Sequence, residues 1–155
     1  MARAKFQVLV IPYLIQDEQI KYCMFLRADM GIWQFVAGGG EDDETPIEAA
    51  KREANEEASI AYTATYYVLD TCCSIPIECF NEADRRRWGE NYFVIPEYSF
   101  AVNVNEADFK LSHEHIKYEW LDYESARKLL KYDSNKTAFG ELDTRIKKGL
   151  LGEKI

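Results

Sequence analysis

The segment Thr45-Pro46-Ile47-Glu48 fixes one end of a helix from local chemistry alone. Threonine and glutamate three residues apart form a capping box, each side chain taking a backbone N–H of the other, and proline in the first helical position brings a preset φ. The helix therefore starts at Pro46. From there to Ala58 the small apolar residues Ile47, Ala50, Ala54 and Ala58 gather on one side, which lets the helix approach a sheet closely, while the other side is almost entirely charged.

Strands to either side supply that sheet. Residues 6–14 are rich in Val, Ile and Leu and read as a largely buried strand; a polar turn at 16–19 leads into a partner strand at 20–27, giving a hairpin. A short apolar strand at 34–37 runs into Gly38, Gly39 and Gly40, read as a loop with backbone conformations closed to other residues and with room for a ligand to come close. Residues 61–72 and 92–104 carry the Thr, Tyr and Val of strands, and 116–121 is a shorter one. The period then changes. Ala126, Leu129 and Leu130, followed by Ala138, Phe139, Leu142, Ile146 and Leu150, recur at helical spacing behind caps at Asp122 and Ser134, so two helices close an α/β chain.

At 155 residues, without repeat or linker, residues 1–155 read as one domain with a core of its own. A net charge of -8 argues against holding long nucleic acid, which draws on clustered Lys and Arg, so an anionic small molecule would need metal ions as intermediaries. The longest apolar run, residues 6–15, is too short for a membrane helix and contains Gln7 and Pro12. With no signal peptide either, a cytoplasmic protein is expected. Cys23, Cys72, Cys73 and Cys79 form no C-x-x-C pair and are expected as buried thiols.

On the charged side of the helix, Glu53, Glu56 and Glu57 stand at i, i+3 and i+4, within an arc of roughly 100°. Their mutual repulsion, at the helix end that disfavours anions, is relieved if cations sit among them. Oxygen-only ligands select hard cations, and Mg²⁺ is typically held by a few carboxylates plus substrate phosphates. A solvated acidic face is the competing reading.

With the glycines in front, these residues read Gly38-x5-Glu44-x7-Arg52-Glu53-Ala54-x-Glu56-Glu57-x-Ser59-Ile60, which resembles the Nudix box. Ala54 and Ser59 depart from it, standing where the family has a larger aliphatic and a glycine. The resemblance implies a mixed β-sheet sandwiched between α-helices and a Mg²⁺-dependent hydrolase of phosphoanhydrides, with Mn²⁺ as a substitute. It implies Glu53 and Glu57 as metal ligands joined by Glu56, Arg52 held by Glu44, and Gly38 and Gly39 at the substrate. A glutamate from outside the box, Glu114, is implied as a further metal ligand, and Glu57 or Glu114 as the general base. Glu114-His115, Tyr118-x-Trp120-Leu121-Asp122, Ser134-Asn135 and the hydroxyl at Ser59 are similar to one subgroup, the dihydroneopterin triphosphate pyrophosphohydrolases, which also accept dATP. That likeness adds Arg27, Phe80 and Ser134 as substrate contacts. Other Nudix substrates, such as dinucleoside polyphosphates or nucleotide sugars, and a non-catalytic nucleotide-binding module remain as alternatives. Arg85, Arg86 and Arg87 read as a solvated loop or as a patch steering a triphosphate; His113 and His115 lack a further zinc-type ligand, and Trp33 and Trp120 read as core aromatics.

Overall fold

The computed structural model describes residues 2–105 and 115–155. Glu114 and His113 lie outside the described residues.

The first strand, β1 (Arg3–Gln16), organises the molecule. It is buried at every position from Val8 to Leu14. A strand apolar at successive positions needs cover on both faces. Its even residues Val8, Val10 and Leu14 enter one core, and Leu9, Ile11 and Tyr13 enter another on the opposite face. The first core is closed by helix α1 (Pro46–Ala58) through Ala49, Ala50, Ala54 and Ala58. The second is closed by α3 (Tyr123–Leu129) and α4 (Asp133–Lys148) through Ala126, Ala138, Phe139 and Leu142. The expected sheet between helices is thus present, and it is mixed: β1 runs parallel to β6 (Val94–Asn103) and antiparallel to β2 (Gln19–Arg27) and β4 (Val36–Glu41).

The hairpin turn falls where expected. Asp17 and Glu18 hold φ of 52° and 63°, the two left-handed positions of a type I′ turn between the paired Gln16 and Gln19. Pro12, which lacks an N–H, stands where one flank of β1 changes partner from β4, paired through Val10, to β2, paired from Tyr13. β2 continues against β3 (Trp33–Gln34) and β7 (His115–Leu121), and β5 (Thr65–Pro76) adds to β6.

Several expectations are corrected. Gly38, Gly39 and Gly40 belong to β4 rather than to a loop, and none of them has positive φ. Their role is space: a Cβ on Gly38 would collide with the Glu53 carboxylate, on Gly39 with the Arg3 guanidinium, and on Gly40 with the Phe6 ring. β5 starts later than residue 61 and runs on to Pro76, through a bulge between Val68 and Cys72. Arg85, Arg86 and Arg87 lie in a short helix, α2 (Glu82–Trp88), because Asn81 caps the Asp84 N–H and Trp88 has a small core of Phe80 and Ile95 to join. Asp122 caps α3 as expected, accepting from the Ser125 N–H. Ser134 is no cap; α4 begins a residue earlier, behind Tyr132, which makes no side-chain cap bond. Only Cys23 is a buried thiol, since Cys72 and Cys79 are exposed and Cys73 half-buried. Trp33 and Trp120 pack, partly buried, against the two cores. Among the described residues no helix is long and apolar enough to cross a membrane.

Candidate active site

Helix α1 is held at both ends. Its capping box is closed, the Glu48 N–H donating to Thr45 Oγ1 at 3.4 Å and the Thr45 N–H to Glu48 Oε1 at 2.8 Å. Ser59 ends the helix in the left-handed region, with φ of 58°, and donates its N–H to the carbonyls of Ala54 and Asn55. The residue that replaces a glycine here adopts the glycine's conformation.

Arg52 ties this helix to β4. Its Nε and one terminal nitrogen donate to the two oxygens of Glu44 at 2.8 and 2.9 Å, and that nitrogen also donates to the Gly39 carbonyl at 2.8 Å. The remaining nitrogen reaches Glu53 at 3.0 Å and Glu56 at 3.2 Å. Glu44 is itself fixed by the Glu41 N–H at 2.8 Å. The Arg52 hydrogen bonds hold the Glu44 carboxyl below the usual carboxylate range against its partial burial. A guanidinium spread over the carboxylates of Glu44, Glu53 and Glu56 and a carbonyl, with Glu41 at 3.6 Å, sets the spacing of the glutamates.

Those glutamates occupy three depths. Glu56 is exposed and accepts a hydrogen bond from Arg52. Glu57 is 2% exposed, with Oε1 2.8 Å from His115 Nε2, and the His115 ring leans on Phe25 at 5.2 Å between centroids. Glu53 lies between them against Gly38. Burial first, then the charge of Glu57, pushes Glu53 up to about 8, although Arg52 pulls the other way. One buried and one half-buried carboxylate a helical turn apart, with their charges set against each other, suit a hard divalent cation, whose charge removes that penalty. Among the described residues no group of three or more His, Cys, Asp or Glu surrounds one metal position.

Glu53 lines a cleft of about 600 Å³ beside the glycines of β4. Gly38, Gly39, Arg27 and Ser134 line it too. Arg27 makes a two-pronged ion pair with Asp29 at 2.8 Å in each bond, and Ser134 stands in the first turn of α4. Phe80 is absent from the cleft wall. It is packed edge-on against Trp88 and lies beneath the Arg3 guanidinium, 5.2 Å from its ring centre, so it supports a wall residue instead. None of the arginines of α2 reaches the cleft; Arg86 pairs with Glu82, and Arg87 with Asp84 at 2.8 Å.

Sequence reasoning missed Gln7, Gln34, Glu97 and Asn135 in the cleft wall. The one signal available was polarity out of place: Gln7 interrupts an apolar run, and Glu97 follows Pro96 inside a strand. Their meeting depends on the parallel register of β1 with β6, which pairs Gln7 with Glu97 and which no local pattern specifies.

The NUDIX domain model matches residues 8–140. Dihydroneopterin triphosphate diphosphatase of Escherichia coli K12 is 32% identical over 132 residues, 84% of this chain and 87% of its own. Among solved structures, a NUDIX hydrolase of Listeria monocytogenes is 39% identical with a TM-score of 0.86, over 97% of this chain and 99% of that one. The E. coli dihydroneopterin triphosphate pyrophosphohydrolase structure is 27% identical with a TM-score of 0.72, over 92% and 99%. Sequence box, fold and relatives agree: the chain belongs to the Nudix family and is a hydrolase of phosphoanhydride bonds.

Proposed function

We propose that the protein is a Mg²⁺-dependent pyrophosphohydrolase that converts a nucleotide-like triphosphate, dihydroneopterin triphosphate or a deoxynucleoside triphosphate such as dATP, to the monophosphate and pyrophosphate. The observation that carries this reading is the pair of Glu53, half-buried, and Glu57, buried, one helical turn apart, with Glu53 lodged in the space left by Gly38 and lining the cleft. The kinship to dihydroneopterin triphosphate diphosphatase supports the substrate class.

Glu53 and Glu57, with Glu56 at the exposed edge and Glu114 from outside the described residues, would hold the metal. Bound Mg²⁺ supplies charge neutralisation at the phosphates and a water of lowered pKa. The protein's own part is orientation and proton transfer. Arg52, locked by Glu44, keeps Glu53 and the Gly39 carbonyl in fixed relation. His115 holds one oxygen of Glu57, and Glu57 or Glu114 takes the proton of the attacking water. Gly38 and Gly39 make room for Glu53 and Arg3 beside the bound phosphates, with Arg27 and Ser134, which line the same cleft, contacting the substrate.

The test is pyrophosphate release from dihydroneopterin triphosphate and dATP, with Mg²⁺ and with chelator, beside a dinucleoside polyphosphate and a nucleotide sugar. Metal-dependent pyrophosphate from the triphosphates is expected, and ¹⁸O water locates the broken bond. Turnover confined to the diphosphate-linked compounds, or binding of triphosphates without turnover, would replace this reading by another Nudix specificity or by a binding module.

A further inference from the structure

Four carboxylates are buried in the described part of the molecule: Glu57, Asp84, Glu97 and Asp143. Three face a basic side chain, His115, Arg87 at 2.8 Å and Lys147 at 2.6 Å respectively. Glu97, 4% exposed, has no basic partner among the described residues. It meets the Gln7 amide, whose Nε2 donates to Oε2 at 3.1 Å. That amide is fixed in orientation, because its oxygen accepts from Arg3 at 3.0 Å. A carboxylate removed from water and given one neutral donor is short of hydrogen bonds. Burial accordingly pushes Glu97 up, and the Gln7 bond offsets only part of this.

Its position suits a ligand. Register sets Glu97 beside Gln7 and Gln7 beside Gly39, one row across three strands. With strands about 4.8 Å apart, Glu97 stands roughly 10 Å along the sheet from the glycine end, where Glu53 opens. All four residues line the one cleft. A molecule with phosphates at Gly38 and Gly39 therefore brings its ring towards Glu97.

We infer that Glu97, oriented by Gln7, selects the ring of the substrate, and that the ring carries two adjacent N–H donors, the 2-amino-4-oxopyrimidine edge shared by pterins and guanine. This rests on the triphosphate reading above and narrows it, since dihydroneopterin triphosphate has that edge and dATP does not. An ionised carboxylate only accepts. A ring N–H beside an amino group meets both its oxygens in a charge-assisted pair. Adenine sets an acceptor nitrogen beside its amino group, lone pair against lone pair, and hypoxanthine lacks the amino group and leaves one oxygen unmet.

The experiment compares kcat/KM for dihydroneopterin triphosphate, dGTP, dITP and dATP with Mg²⁺, in wild type and in Glu97→Gln, a near-isosteric change. In wild type the two amino-bearing oxo substrates should exceed dITP and dATP by about tenfold or more. In Glu97→Gln the ratio of dGTP to dITP should fall towards one; the relative rates on dGTP and dihydroneopterin triphosphate tell which source of the edge is preferred. Equal wild-type turnover of dATP and dGTP overturns the inference without need of a variant. So does a variant that slows all four substrates equally, which marks a merely structural glutamate. If wild type cleaves no triphosphate, the proposed function fails instead. The ring preference is then read from fluorescence titration with 7,8-dihydroneopterin and guanosine against inosine: tighter binding of the first two sustains it, and equal binding ends it.

Discussion

Gly38 and Glu53 are best understood as one unit, because the missing Cβ of the first is where the carboxylate of the second lies. Gly38→Ala should fold at a cost of about 1–3 kcal/mol, the range for overpacking, and should displace Glu53, lowering kcat with Mg²⁺ at least tenfold. Thermal unfolding and initial rates check both halves; unchanged rates would mean that Glu53 works from another position. For Glu57 the expectation is sharper, since an amide keeps the shape and the contact with His115 while removing the charge. Glu57→Gln should retain the fold and lose turnover by about 10²-fold or more, measured at saturating Mg²⁺. A near-normal kcat would remove Glu57 from the chemistry. At this scale the box residues were legible from their identities and spacing. What could not be read was that the three glutamates differ in depth, because burial depends on β7 delivering His115 behind Glu57.

Helix α1 was the best-read element, since capping, proline placement and small-residue spacing are local properties within reach of a few bonds. Its far end carries a small strain. Ser59 sits at φ of 58°, where a side chain costs about 1 kcal/mol and glycine nothing. Ser59→Gly relieves that strain but gives up the interactions of the serine and adds glycine's freedom in the unfolded chain, so the melting temperature should change by the equivalent of no more than about 1 kcal/mol. A larger fall, measured by thermal unfolding, would show that the Ser59 side chain contributes more than the strain costs. Elements without strong local signals were misplaced for an equally physical reason. α2 is two turns long, and its amphipathic face needs only Trp88 and the small core of Phe80 and Ile95, a partner that exists after β5 and β6 have paired. The glycines of β4 looked like a loop because composition records their freedom of φ and says nothing of neighbours that need their space.

Across the whole molecule, the bulge in β5 is secured from the far end of the chain. Glu141 on α4 accepts the N–H groups of Asp70 and Thr71 and the Thr71 hydroxyl, while Arg145 pairs with both Glu141 and Asp70. Burial raises the Glu141 carboxyl, but these hydrogen bonds outweigh it and hold it below its ordinary range. A folded-state pKa below the unfolded one gives stability that is complete above the unfolded value, about 4.3, and is lost as pH falls through the folded value. Wild type should thus lose melting temperature on acidification below about pH 4.3 more steeply than Glu141→Gln, compared by thermal scans; parallel acid limbs would remove Glu141 from the link. The sequence by itself determined the hairpin, the capped helix, the acid and arginine pattern of the box and the need for cover on both faces of β1, all of which follow from backbone geometry and side-chain period over short stretches. Only the tertiary structure decided which carboxylates are buried, that Phe80 stands behind Arg3, and that Gln7 and Glu97 share a cleft wall. Those outcomes depend on strand register and on contacts between residues dozens of positions apart, where the free energy belongs to the assembled sheet and is not contained in any one segment.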